Sequence, residues 1–134
     1  MRRTGQADMI LPKIMREAVV GLIRHEGADL TTRQFAVFLI CYVEEGPHTV
    51  RLLSERTHLS KPAISRVLDR LGALGLTRRV AAPQDKRNVL IARTADGFSL
   101  LGLVREKLAE ATKIAARESE PETPSDIPVQ TGTN

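Results

Sequence analysis

Between Thr49 and Leu76 the chain carries two short amphipathic helix patterns with only three residues between them. No other stretch constrains the fold as tightly. The first pattern opens at Thr49, turns Val50, Leu52 and Leu53 inward and ends near Thr57. His58-Leu59-Ser60 is the joint. The second runs from Lys61 to about Leu74. Ser60 is an N-cap residue, Pro62 falls in the first turn where its missing N–H costs nothing, and Gly75 supplies the stop. Ile64, Val67, Leu68, Leu71 and Leu74 form an i, i+3, i+4, i+7 stripe that must face a core. This is the helix-turn-helix arrangement. Its outer side shows Lys61, Pro62, Ser65, Arg66, Asp69 and Arg70, beside a small Ala63 that lets a backbone approach closely. Ser and Arg near a helix N-terminus suit phosphate contacts and the reading of base edges.

The segments on either side complete the unit. Thr31 and Gln34 have capping-box spacing ahead of a helix through FAVFLICYVEE that ends at Gly46-Pro47. That helix is apolar all round, which predicts burial between other elements. After Leu76, TRRVAA and the β-rich NVLIAR flank Pro83-Gln84-Asp85-Lys86-Arg87-Asn88, a hairpin with a positively charged tip. Ahead of the unit, Ile10, Leu11, Ile14, Met15, Ala18, Val19, Leu22 and Ile23 form a stripe of pairs advancing by four over about residues 10–25. Behind it, Thr94 caps a helix to about Arg117, with Leu101, Val104, Leu108, Ala111 and Ala115 at helical spacing. The expected fold is mostly α with a small β-hairpin wing (α+β). The segments divide as 1–30, an N-terminal dimerisation helix; 31–93, a winged helix-turn-helix; 94–118, a C-terminal dimerisation helix; and 119–134, a tail without a core of its own.

Charge singles out the middle of the chain. The 134 residues carry a net +4. Residues 49–93 hold ten basic and three acidic side chains, whereas residues 1–48 are balanced and residues 94–134 are acidic by three. A basic block over the helix-turn-helix and hairpin is the footprint of a polyanion-binding module, although a solvated basic face would look the same.

These residues resemble the MarR family of bacterial transcription regulators over roughly residues 8–118. LTTRQFAVFLICYVEEG resembles the family's second helix, TVRLLSERTHLSKPAISRVLDRLGALGLTRR its helix-turn-helix and first wing strand, and PQDKRNVLIARTADG its wing and the start of the next helix. The joint occurrence of LSKPAISRVLDRL, GL-x-x-R and D-x-R, in order, is the specific signal. The resemblance implies a homodimer on a palindromic operator, with a recognition helix in the major groove and a wing in the minor groove. Ser60, Lys61, Pro62, Ala63, Ser65, Arg66 and Arg70 fall where the family's recognition helix meets DNA. Lys86 lies in the wing, Arg87 matches the wing-tip arginine, and Asp85 matches the carboxylate that orients it, although a plain turn residue would also be an aspartate. Ile10, Ile14, Ala18, Leu22, Leu101, Val104 and Leu108 are the expected dimer contacts.

Two departures stand out: Arg93 occupies a position usually apolar in the family, and the family's further C-terminal helix is replaced by the Pro-containing tail. The implied function is a regulator, most often a repressor, released in many relatives by a small aromatic effector. A winged-helix module that docks its basic face on an acidic protein is the alternative. Nothing in the motifs suggests an enzyme or a cofactor. His25, His48 and His58 are scattered singly, as surface or capping residues, so no metal site is expected. Cys41 lacks a basic neighbour within one turn and reads as a buried structural thiol rather than a sensor. With one Cys, no signal-peptide pattern and a longest apolar run of nine residues, Phe35 to Val43, the expected setting is the cytoplasm.

Overall fold

The computed structural model describes residues 6–25, 27 and 29–119. The elements run α1 (Gln6–Arg24), α2 (Thr32–Val43), α3 (Val50–Thr57), α4 (Lys61–Ala73), β1 (Thr77–Ala82), β2 (Asp85–Arg93) and α5 (Ala95–Glu118). This is a winged helix flanked by two long helices. The segment expected as a tail, from residue 120 onward, lies outside the described residues. No helix among the described residues is long and apolar enough to cross a membrane.

Local chemistry sets the element ends. Thr31 and Gln34 close both halves of the capping box ahead of α2. Thr49, Ser60 and Thr94 each accept a backbone N–H three residues on, at the starts of α3, α4 and α5. His58 ends α3 in the left-handed region with φ 62°, and Gly75 follows α4 with φ 75°. α1 starts four residues earlier than its apolar stripe suggests, so Pro12 sits inside it rather than at its beginning.

One core cluster binds the winged helix together. Val37, Phe38 and Cys41 of α2, Leu53 of α3, and Ile64, Leu68 and Leu71 of α4 are almost wholly buried, with Leu76 and Ile91 closing the side toward the hairpin. The stripe on α4 therefore faces inward as its period demands. The two strands pair antiparallel from Thr77↔Arg93 to Ala81↔Val89, and the register then slips to Ala82↔Asp85. The irregularity confines the turn to Pro83-Gln84 and draws Asp85–Asn88 into the strand, a shorter tip than the six residues expected. On the other edge of β2, the Ile91 N–H donates to the His48 carbonyl at 2.9 Å, so the segment ahead of α3 covers that edge. His48 is buried there, not a surface residue, and its Nε2 lies 3.0 Å from the Glu44 carbonyl oxygen.

α1 packs chiefly along α5. Their buried residues are mostly small (Ala18, Ala111 and Ala115, with Val104), which lets two backbones come close. At Gly21 an added Cβ would lie 3.1 Å from the Lys107 stem. Arg16 closes the far end by donating to Glu118 at 2.8 Å. That hydrogen bond holds the Glu118 carboxyl below the usual carboxylate range, so its small contribution is present above that range and is lost as the pH falls through the lowered value.

The Tyr42 hydroxyl ties the start of the long helix α5 to the winged helix. Tyr42 Oη donates to the Leu76 carbonyl at 2.6 Å and accepts from the Thr94 N–H at 2.9 Å. Gly97 lies against it: a Cβ there would collide with the phenol and come within 2.7 Å of the Leu76 carbonyl oxygen. Gly97→Ala is therefore expected to lower stability by about 1–3 kcal/mol, as overpacking does. Thermal or urea melts check it, and an unchanged midpoint contradicts the contact.

Candidate nucleic-acid interface

Because the apolar stripe of α4 is turned into the core, its opposite face is fixed in the open. Ser60, Lys61, Pro62, Arg66 and Arg70 are exposed, and Ala63 and Ser65 are half-buried. Ser60 is occupied as the N-cap, its Oγ accepting from the Ala63 N–H at 3.2 Å, so its hydroxyl serves the helix start first. The N-terminal N–H groups, with exposed Lys61 and Arg66, suit this end to anions, and Arg70 extends the basic face into the last turn. In the hairpin, the Arg87 side chain is 95% exposed. Asp85 Oδ1 accepts from the Arg87 backbone N–H at 3.0 Å, and the Arg87 Nε stands 3.7 Å from the same oxygen. Asp85 Oδ2 also receives the Asn88 amide at 3.4 Å. The aspartate thus shapes the turn and lies beside the guanidinium. The side chain of Lys86 is outside the described residues.

Two arginines absent from the sequence reading of the site brace it. Arg79 of β1 donates to Asp69 Oδ1 at 2.8 Å and to the Ser65 carbonyl at 3.2 Å, linking the first wing strand to α4. Arg93, at the apolar family position, donates to the carbonyls of Cys41 at 2.7 Å and Glu44 at 3.0 Å. Its guanidinium carbon stands 5.8 Å from the Tyr42 ring centre. The side chain thus caps carbonyls at the end of α2, sharing that of Glu44 with His48. Glu44 in turn receives Arg56 of α3 at 2.7 Å. The sequence signal for these pairs was only a charge at the right kind of position, because the partners lie 10 to 52 residues apart.

A second surface is apolar. Ala18 and Val104 of the expected dimer contacts are buried within the chain, and Ile10, Ile14, Leu22 and Leu101 are half-buried. The outward file of α1 is instead Leu11, Met15, Val19 and Ile23, with Leu108 of α5 also exposed. α2 is not enclosed on every side, as its all-round apolarity predicts. Ala36, Leu39, Ile40 and Val43, with Glu44, Arg56 and Thr57, line an open groove of about 570 Å³.

Among the described residues no group of three His, Cys, Asp or Glu could hold a metal. Cys41 is buried, and desolvation pushes its thiol up to about 11, with Arg93 drawing the other way. The native chain should therefore resist Ellman's reagent at neutral pH and release its single thiol's worth of colour only on unfolding. Prompt reaction of the folded protein would contradict that burial.

Comparison with known proteins agrees with this geometry. Residues 28–88 match the MarR family. An S. aureus MepR variant bound to an oligodeoxyribonucleotide superposes with a TM-score of 0.70 at 20% identity, over 83% of this chain and 79% of that one. The transcriptional regulator Tm0710 from Thermotoga maritima gives 0.65 at 24% identity, over 84% and 73%. CouR from Rhodococcus jostii, bound to p-coumaroyl-CoA, gives 0.53 at 22% identity, over 84% and 71%. Curated proteins yield no match. The structural likenesses establish the fold, and the family match spans residues 28–88, from just ahead of α2 to the start of β2.

Proposed function

We propose that this chain is a sequence-specific DNA-binding transcriptional regulator, a repressor working as a homodimer in the cytoplasm by binding rather than by catalysis. The observation that carries the reading is the exposed basic side of α4 beside a wing whose Arg87 extends freely into solvent. Lys61, Arg66 and Arg70 supply phosphate and base-edge contacts in a major groove, with Ser60, Pro62, Ala63 and Ser65 shaping the close approach. Arg87, with Asp85 and Lys86 beside it, enters the adjacent minor groove, where a narrow groove concentrates negative potential. The whole block from 49 to 93 carries a net +7, which favours a polyanion.

The apolar file Leu11, Met15, Val19 and Ile23, continued by Leu108 on α5, supports pairing with a second copy. Ile10, Ile14, Ala18, Leu22 and Val104 then lie beneath that contact, where α1 packs along α5, while Leu101 packs on the winged-helix core. Two recognition helices related by a two-fold axis would read half-sites about one helical turn apart. A small aromatic effector is part of this reading, and the open groove along α2, apolar at Leu39, Ile40 and Val43 and flanked by Glu44 and Arg56, is its candidate seat.

Arg66→Ala and Arg87→Ala are each expected to cost about 1–3 kcal/mol of specific duplex binding, in a binding series that weakens steeply with salt. Affinity indifferent to both changes and to salt would transfer the basic face to a protein partner. Glu at both Met15 and Val19 should leave the chain monomeric by light scattering while the melt of the monomer persists. An unchanged dimer mass would move the interface elsewhere.

A further inference from the structure

The helix offered to DNA carries one acid among its bases. Asp69 lies one turn beyond Ser65 in the file that starts at Lys61, so it shares the face that would meet the duplex. Its side chain is 67% exposed. An unpaired carboxylate here would stand among phosphates and repel them. It is paired: Arg79 reaches over from β1, donating 2.8 Å to Asp69 Oδ1 and 3.2 Å to the Ser65 carbonyl.

The contact does two things at once. It neutralises the acid, and it holds the guanidinium on the protein, away from the DNA backbone. A free arginine on the wing would add affinity for every duplex alike, since phosphate contacts carry no sequence information. The Ser65 carbonyl adds a second anchoring point, so the bond also sets the angle between the recognition helix and the wing. Exposed ion pairs contribute little to folding stability, and nothing in the buried core depends on this one.

We propose that Asp69 and Arg79 form a specificity-determining pair, in which Asp69 withholds Arg79 from phosphate contact and Arg79 fixes the bearing of α4 against the wing. The proposal rests on the DNA-binding reading above and adds to it the residues that separate selected from unselected duplexes. Neither residue reads a base. Both act on how the neighbouring side chains are presented.

The test uses the full chain and two duplex probes: one selected by the wild-type protein from a random-sequence pool, and poly(dI-dC) as the unselected competitor. Asp69→Asn should tighten binding to poly(dI-dC) and steepen its salt dependence by about one phosphate contact, a slope change near 0.9. Arg79→Gln should weaken binding to the selected duplex on the order of tenfold without any gain on poly(dI-dC). The opposite signs on the unselected probe are the signature, with the melting temperatures of both variants near that of the wild type. A selectivity ratio within about twofold of wild type, with a salt slope unchanged from wild type, in both variants would overturn the proposal. So would parallel losses on both probes with lowered melting temperatures, which a merely structural pair would give. A wild-type protein that enriches no sequence from the pool would instead overturn the DNA-binding reading beneath it.

Discussion

The hydroxyl of Tyr42 is where the parts of this molecule are tied to one another. It sits at the end of α2, donates to the carbonyl that follows α4 and accepts the N–H that precedes α5. Three chain segments are thereby fixed around one oxygen, in a setting where an unpaired polar group would be costly. Phe38 at 4.7 Å and Phe98 at 5.1 Å pack on the ring, the latter edge to face. Gly97 provides the room for it. Thr94 completes the joint by capping α5 and donating its own hydroxyl to the Gly75 carbonyl at 2.7 Å. With only four aromatic residues in the chain, gathering all of them into this one neighbourhood puts the largest rigid side chains where three elements meet.

The polar and apolar surfaces follow from that core. Once α4 has buried Ile64, Leu68 and Leu71, its charged side has nowhere to go but outward, alongside a hairpin whose base is held by Arg93 and by the His48 carbonyl. At the other end, α1 leans on α5 and leaves large side chains uncovered. One end of the molecule is thus suited to a charged partner and the other to an apolar one. Leu11 and Ile23 are each 71% exposed, more than a lone chain gains from presenting in a single file.

What could be read from the sequence was what repeats or caps. The stripe of α4, its Ser60 cap, Pro62, the Thr31–Gln34 box and the Gly75 stop are all decided within a turn or two of chain, so they were legible. The orientation of α1 was not. Its apolar residues come as neighbours (10 with 11, 14 with 15, 18 with 19, 22 with 23), and either file could have turned inward. The choice is made by α5, which accepts Ala18 and leaves Val19 outside. The role of Gly97 was hidden for a similar reason, because the ring that excludes a side chain there is 55 positions back in the sequence at Tyr42. Arg93 looked like a departure from an apolar position and is instead the donor that finishes α2. The register slip beyond Ala81 depends on how two strands twist together, which no single strand encodes.

α5 begins at the Tyr42 joint and ends beside Arg16, 24 residues later. At 1.5 Å per residue it is a rod of about 36 Å. With one end seated at the hydroxyl and the other carried by α1, it is a lever with its fulcrum against the winged helix. A tilt of about 5° at the seat displaces the far end by about 3 Å at that length. The same hydroxyl holds the Leu76 carbonyl just beyond α4, so the seat of this rod and the end of the helix that carries Arg66 share one oxygen.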